Sequence, residues 1–287
     1  MARQGQKTRG APKGKAVKRR GLGAKRNAVN LRHAHGPFDI VGDVHGCLDE
    51  LLALLQALGY GVERHGENFK VTPPHGRTLA FVGDLVDRGP AAPAVLRLAM
   101  AMAHAGTALC LAGNRDMELV RALRGRATKV TRGMARTLDQ LAAEPESFNA
   151  EVVKFLRSRP SHLVLDEHRL VVAHAGLKEA MQGRTSAAAR AFALHGDVTG
   201  ERDASGLPVR RNWAAEYRGK ALVVHGHTPV SEPLWLNNTV NIDTGCVYGG
   251  HLTALRYPER ETISIPAQAI HYSPRRPFAP NHALKRK

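Results

Sequence analysis

Thr78-Leu79-Ala80-Phe81-Val82 runs without a break into Gly83-Asp84-Leu85-Val86-Asp87-Arg88-Gly89. An apolar run of strand length that empties into a glycine-bounded acidic loop has the form of a buried strand reaching a polar edge. The form recurs along the chain. Phe38–Val41 empties into Gly42-Asp43-Val44-His45-Gly46, and Thr107–Leu111 into Gly113-Asn114-Arg115-Asp116. Leu170–Ala173 leads to His174-Ala175-Gly176, Ala221–Val224 to His225-Gly226-His227-Thr228, and Thr239–Ile242 to Asp243. Helical patterns lie between these runs. Leu48, Leu51, Leu52, Leu54, Leu55 and Leu58 mark one helical face, closed by Gly59. Ala92–Ala105, the segment after Asn114 to about Leu123, Ala135–Leu141 and Ser147–Arg157 are read as further helices. Leu163–Leu165 with Leu170–Ala173, and Leu252–Tyr257 with Thr262–Ile265, are read as hairpins. Strand, polar loop and helix in alternation predict α/β architecture with the loops gathered at one sheet edge.

The loops carry metal-competent side chains: Asp43 with His45, then Asp84, Asn114, His174 and His227. Carboxylates, an amide oxygen and imidazoles form a mixed oxygen and nitrogen set. That set suits manganese, iron, zinc or nickel better than magnesium or calcium, which prefer oxygen alone. One carboxylate is able to bridge two ions ~3.5–4 Å apart, an arrangement that activates water and neutralises charge at phosphorus.

The ordered set GDVHG, GDLVDRG, GN, AHAG and GHT resembles the calcineurin-like metallophosphoesterases, in particular the phosphoprotein-phosphatase branch with its GDxHG, GDxxDRG and GNHE motifs. From about residue 115 to 260 the chain is also similar to the phosphatase domain of bacterial polynucleotide kinase-phosphatase. That second likeness rests on Arg121–Arg126, Ala175-Gly176-Leu177, Leu207–Arg210, Asn212–Lys220, Leu236–Thr239 and Ile242–Cys246. No phosphate loop of the form GxxxxGKS or GxxxxGKT is present, so the kinase part of that enzyme is absent.

The resemblance implies a four-layer αββα sandwich with a dinuclear site at one sheet edge, and in-line attack by metal-activated water without a phosphoenzyme. It implies that Asp43 and His45 hold one ion, Asp84 bridges, Asn114 and His174 hold the other, and His227 completes the set. The ions are expected to be two divalent cations, manganese first, with nickel, iron or zinc as alternatives. Arg88 is the implied phosphate clamp, Arg210 a second clamp, and Asp243 a carboxylate near the site. His225 is read as a neutral packing residue and not a ligand.

One position departs from the family pattern. The family has histidine where this chain has Arg115. That histidine, oriented by the aspartate matching Asp87, is the implied general acid for the leaving alkoxide. Arginine stays protonated to about pH 12 and beyond, so it cannot give up a proton in that role. Three readings are open: a weak or inactive enzyme that binds RNA, a preference for leaving groups that need no proton, such as aryl esters and phosphoanhydrides, or an Arg115–Asp87 pair that stabilises charge electrostatically. The leading expectation is a phosphoesterase acting on phosphomonoesters or cyclic and diester phosphates, at nucleic-acid ends or on nucleotides. The alternatives are a phosphoprotein phosphatase, a diadenosine-tetraphosphate hydrolase, and the RNA-binding pseudo-phosphatase.

Charge bears on partners. The chain of 287 residues carries 42 Lys and Arg against 25 Asp and Glu. Residues 1–36 hold eleven basic side chains and no acid, and five more basic residues follow Glu261, the last acid. The body between is nearly neutral. Residues 1–36 are therefore expected to be a disordered basic tail, 37–265 the catalytic domain, and 266–287 a proline-containing basic tail partly laid on the body. Contact between these tails and RNA or DNA would be phosphate-driven and salt-sensitive. Three cysteines form neither a disulfide framework nor a CxxC pair, which predicts a reducing, cytoplasmic setting. No apolar run reaches membrane-spanning length.

Overall fold

Alternation within the strands builds the layers. The computed structural model describes residues 29–274 and Phe278. Its elements are β1 (Phe38–Val41), α1 (Leu48–Ala57), β2 (Gly61–His65), β3 (Asn68–Thr72), β4 (Thr78–Phe81), α2 (Ala92–Ala105), β5 (Ala108–Cys110), α3 (Asn114–Leu123), α4 (Arg132–Ala142), α5 (Glu146–Arg157), β6 (His162–Leu165) and β7 (Leu170–Ala173). They continue with α6 (Ala187–His195), β8 (Val198–Arg202), β9 (Pro208–Arg210), α7 (Trp213–Glu216), β10 (Leu222–His225), β11 (Leu234–Leu236), β12 (Thr239–Asn241), β13 (His251–Tyr257) and β14 (Glu261–Pro266).

Two five-stranded sheets result, ordered β14-β13-β1-β4-β5 and β11-β12-β10-β7-β6. Phe38, Ile40, Ala80 and Val82 from the first sheet pack against Leu163, Leu165, Val172, Val224 and Ile242 in a shared inner cluster. The alternate residues Val41, Leu79, Phe81 and Cys110 point the other way, onto Leu51, Leu55, Val95 and Leu96 of α1 and α2. On the far side Val164, Val171, Ala173 and Val223 pack with Phe192 of α6 and Trp213 of α7. Strands buried on both faces read as continuous apolar runs, and helix, sheet, sheet, helix is the four-layer αββα sandwich. Truncating an inner side chain such as Phe81 is expected to cost about 3–5 kcal/mol.

Topology places the site. β1, β4 and β5 are parallel, and so are β7, β10 and β12. Ligands in such sheets collect at the carboxyl ends of the strands. Stacking two such sheets brings both sets of strand-end loops to one rim.

Three segments depart from expectation. Residues 29–36, read as part of a disordered tail, are placed: Leu31 N–H donates to Val164 O at 2.9 Å and Val164 N–H to Val29 O at 2.8 Å. Val29 and Leu31 are buried there and cover the edge strand β6, which would otherwise expose unpaired backbone groups. Residues 1–28 lie outside the described set, as do 279–287, so the reading of the basic ends as nucleic-acid contacts falls outside it as well. The β2–β3 and β8–β9 hairpins, α6, α7 and β11 were not foreseen; they are short and carry many exposed polar residues, which blurs periodicity. β14 extends through Pro266, and the chain then returns over the domain. Ala267 N–H donates to Gly250 O at 2.8 Å and Tyr272 N–H to Val247 O at 3.0 Å. Among the described residues no helix is long and apolar enough to cross a membrane.

Candidate active site

The rim gathers every predicted ligand. Asp43 and His45 follow β1, Asp84 follows β4, Asn114 opens α3, His174 follows β7 and His227 follows β10. Asp43, His45, Asp84, Asn114 and His174 are all buried. Two triads are compact enough for one ion each, Asp43–His45–Asp84 and Asp84–His174–His227, and Asp84 belongs to both. A shared carboxylate between two triads is the layout of a bridged pair of cations.

The loops close tightly on these carboxylates. A side chain at Gly113 would meet Asp84, and one at Gly226 would meet the Asp43 carboxylate; glycine is needed where backbone approaches this closely. His45, Asp84, Asp87, Arg88 and His227 all have positive φ, from 47° to 80°. Non-glycine residues seldom adopt this conformation, and such strain concentrates at functional sites. Asp116 holds the first two loops in place. Buried itself, it accepts from Leu85 N–H at 2.9 Å, Val86 N–H at 3.3 Å and Gly113 N–H at 2.9 Å. Arg115 N–H, in the first turn of α3, donates to Asp84 Oδ1 at 2.8 Å, where the helix dipole favours negative charge.

The donor atoms fit divalent cations. His45 Nδ1 donates to Val86 O at 2.9 Å, which leaves Nε2 with its lone pair toward the site, the orientation a ligating histidine takes. His174 Nε2 lies 3.2 Å from Asn114 Oδ1, 3.0 Å from His227 Nδ1 and 3.4 Å from Asp84 Oδ1. One ring nitrogen cannot satisfy three such neighbours, and a cation among them would. Burial lowers the pKa of all three imidazoles, His174 to about 3, so they are neutral and available as ligands. Burial, with neighbouring carboxylates, raises Asp43 well above the usual range. Burial also raises Asp84 to about 6, against the opposing pull of Arg115 and Arg88. The bare cluster holds more negative charge than its arginines balance.

Two guanidinium groups face the ligands from opposite sides. Arg88 Nη1 lies 2.9 Å from His45 Nε2, and Arg210 Nη2 lies 2.8 Å from His227 Nε2. The Arg88 guanidinium stands over the rings of Tyr248 (5.4 Å) and Tyr272 (5.9 Å). Arg115 lies with its Nε 3.4 Å from Asp87 Oδ2 and its Nη1 2.8 Å from Glu118 Oε2. Asp87 is buried and neither carboxylate oxygen has a hydrogen-bond partner, so Arg88 and Arg115 hold it by proximity alone. Asp243 is buried, its pKa pushed up to about 7 by burial, and its Oδ2 is also unpartnered. His225 packs against Trp213, ring centroids 5.2 Å apart, away from the ligand atoms, as a packing role requires. A groove of about 910 Å3 opens beside His227 and Arg210 and is lined in part by Trp213, Leu234 and Leu236.

Sequence reasoning missed Asp116, Glu118, Tyr248 and Tyr272. Asp116 and Glu118 stand at i+1 and i+3 from Arg115, a spacing that puts Glu118 on the same helical face. The tyrosines gave no signal, since only the fold brings residues 248 and 272 onto Arg88.

This rim and its ligands define a metallophosphoesterase. Residues 36–231 match the family model for calcineurin-like phosphoesterases, and the chain belongs to that family. It is 44% identical, over 84% of its length and 99% of the relative's, to the asymmetrical bis(5′-nucleosyl)-tetraphosphatase PrpE of Anoxybacillus flavithermus. A crystal structure provisionally described as a diadenosine tetraphosphatase superposes with TM-score 0.56 at 26% identity, covering 84% of this chain and 98% of that one. A serine/threonine phosphatase from Saccharomyces cerevisiae shares the fold, with TM-score 0.56 at 13% identity over 85% and 84% of the two chains. The expected kinship with the phosphatase domain of polynucleotide kinase-phosphatase is therefore corrected: the near-full-length relative is a dinucleoside tetraphosphatase. The motifs shared by the two groups position metals and phosphate and do not report the leaving group.

Proposed function

We propose that this chain hydrolyses dinucleoside tetraphosphates asymmetrically, releasing a nucleoside triphosphate and a nucleoside monophosphate. The observation that carries the reading is the 44% identity to an asymmetrical tetraphosphatase across 99% of that protein. Position 115 supports it from the chemistry. A phosphoanhydride expels a phosphate oxygen that is stable as an anion near neutral pH, whereas an alkyl ester expels an alkoxide that needs a proton. Arginine cannot supply one, so its presence suits the anhydride.

Asp43, His45, Asp84, Asn114, His174 and His227 would hold two divalent ions, manganese first among the candidates. Such ions supply a nucleophile at neutral pH and neutralise phosphoryl charge. The chain's own groups do the rest. Arg88, its planar fork held by Tyr248 and Tyr272, grips non-bridging phosphate oxygens. Arg115, fixed between Asp87 and Glu118, presents positive charge to the departing phosphate. Arg210 binds the phosphate chain from the opposite side. The groove beside it has the volume of a small-molecule site and takes one nucleoside. Asp243 accepts a proton or a hydrogen bond at the rim.

The test is product analysis. Manganese-loaded protein with diadenosine tetraphosphate should give adenosine triphosphate and monophosphate in equal amounts. Two equivalents of diphosphate, or faster release of phosphate from RNA 3′-phosphate ends, would overturn the reading.

A further inference from the structure

A second cluster of ligand-type side chains lies behind the site, and the proposed reaction does not use it. Cys47 Sγ, Cys246 Sγ and a carboxylate oxygen of Glu50 all lie within 4.8 Å of one another, and all three residues are buried. Cys47 is the N-cap of α1 and Glu50 sits in its first turn, so both point to one side of the helix start. Cys246 comes from the loop between β12 and β13, two hundred residues away in sequence. The returning C-terminal segment adds a fourth group: His271 Nε2 lies 3.7 Å from Glu50 Oε1, with its side chain 17% exposed.

A buried carboxylate is costly unless it is paired or coordinated. Glu50 is 2% exposed, and among the described ion pairs its partner is His271. Its other recorded contact is the backbone N–H of Gln268, which donates to Oε1 at 2.9 Å. Two thiols and an imidazole around that carboxylate make a four-donor set rich in sulfur. Soft thiolates with one imidazole and one carboxylate suit tetrahedral zinc, and they differ from the sulfur-free set at the rim. With zinc bonds of about 2.0–2.3 Å, tetrahedral donors stand roughly 3.3–3.8 Å apart, so small side-chain rotations close this cluster around one ion.

We propose that Cys47, Glu50, Cys246 and His271 form a separate thiolate metal site, taking one zinc ion in a structural role. The ion ties together three segments that reach the rim. Cys47 belongs to the loop of Asp43 and His45, Cys246 to the loop of Asp243, and His271 to the segment whose Tyr272 stacks on Arg88. Binding releases one proton from each thiol and none from the neutral imidazole or the carboxylate.

Cobalt substitution tests this directly. Cobalt bound by sulfur gives an intense thiolate-to-metal charge-transfer band in the near ultraviolet, which an oxygen and nitrogen centre does not. The chain has three cysteines, and Cys110 lies elsewhere in the core, with its thiol toward Ala99 O. Wild-type protein reconstituted with cobalt alone should show the band. Asp84→Asn and Cys110→Ser should keep it, Cys47→Ser and Cys246→Ser should lose it, and elemental analysis should find one equivalent of zinc fewer in each of the latter two. Should both serine variants fail to fold, the wild-type spectrum still decides, together with release of one zinc equivalent by a thiol-modifying mercurial. Absence of the band in wild-type protein, its survival in Cys246→Ser, or recovery of a Cys47–Cys246 disulfide in place of metal would each overturn the proposal.

Discussion

The two sheets meet at one rim but contribute differently to it. The first sheet supplies the carboxylates Asp43 and Asp84, with Asn114, Asp87 and Arg88, on loops clamped from beneath by Asp116. The second supplies His174, His227 and Asp243, and beside them an insertion, α6 through α7, that carries Arg210 and borders the groove. The first side is rigid and charged; it defines the reaction. The second is built partly from short, exposed elements and is where a substrate would be chosen. Enzymes of one fold and one metal chemistry differ mainly in such surroundings.

Breaking the first side should cost most. Asp84→Asn removes the carboxylate common to both triads and should lower kcat by roughly 10³-fold or more, with loss of bound metal by elemental analysis. Arg88→Ala leaves the metals in place and should cost roughly 10²–10³-fold in kcat/KM. On the second side Arg210→Ala should act chiefly on KM for a dinucleoside tetraphosphate, raising it about tenfold, an amount equal to about 1.4 kcal/mol. A small aryl phosphate should feel this change least. If kcat and not KM falls, Arg210 belongs with Arg88 and the division between the sides is wrong.

A smaller effect concerns pH. In the metal-free protein Asp84 is raised from 3.8 to about 6 and Asp243 from 3.8 to about 7. A carboxyl whose folded value lies above its unfolded one binds its proton more tightly when folded. Stability of the metal-free protein therefore falls as pH rises through the window from about 4 to about 7. Divalent cations favour the ionised carboxylates and offset this loss. The Tm gained on adding manganese should be larger at pH 8 than at pH 5; an equal gain at both would contradict the assignment of these carboxylates to the metal rim.

Legibility in the sequence divides along the same line. Each first-side ligand stands directly after an apolar strand, so the order of GDVHG, GDLVDRG and GN reads off the chain and the expected range of α2, Ala92–Ala105, matches its observed one. Pro93 near its start and left-handed Gly106 at its end explain that agreement. The second side was legible only where it repeats the pattern, at His174 and His227. Nothing local announces that Glu118 fixes Arg115, that Tyr248 and Tyr272 hold Arg88, or that Cys47, Cys246 and His271 converge, because those contacts arise from distant parts of the chain. The segment 29–36 misled for the opposite reason: its composition is that of a tail, while Val29 and Leu31 alone suffice to dock it on β6.

The central claim is that arginine in place of a general acid adapts this rim to anhydride cleavage. It is tested by the ratio of kcat/KM for diadenosine tetraphosphate to that for an alkyl phosphomonoester, measured with manganese in the wild type and in Arg115→His. Supplying a general acid should raise the alkyl ester rate by at least about tenfold and leave the anhydride rate unchanged or lower, so the ratio should fall by tenfold or more. An unchanged ratio, or a slower alkyl ester reaction in Arg115→His, would contradict it.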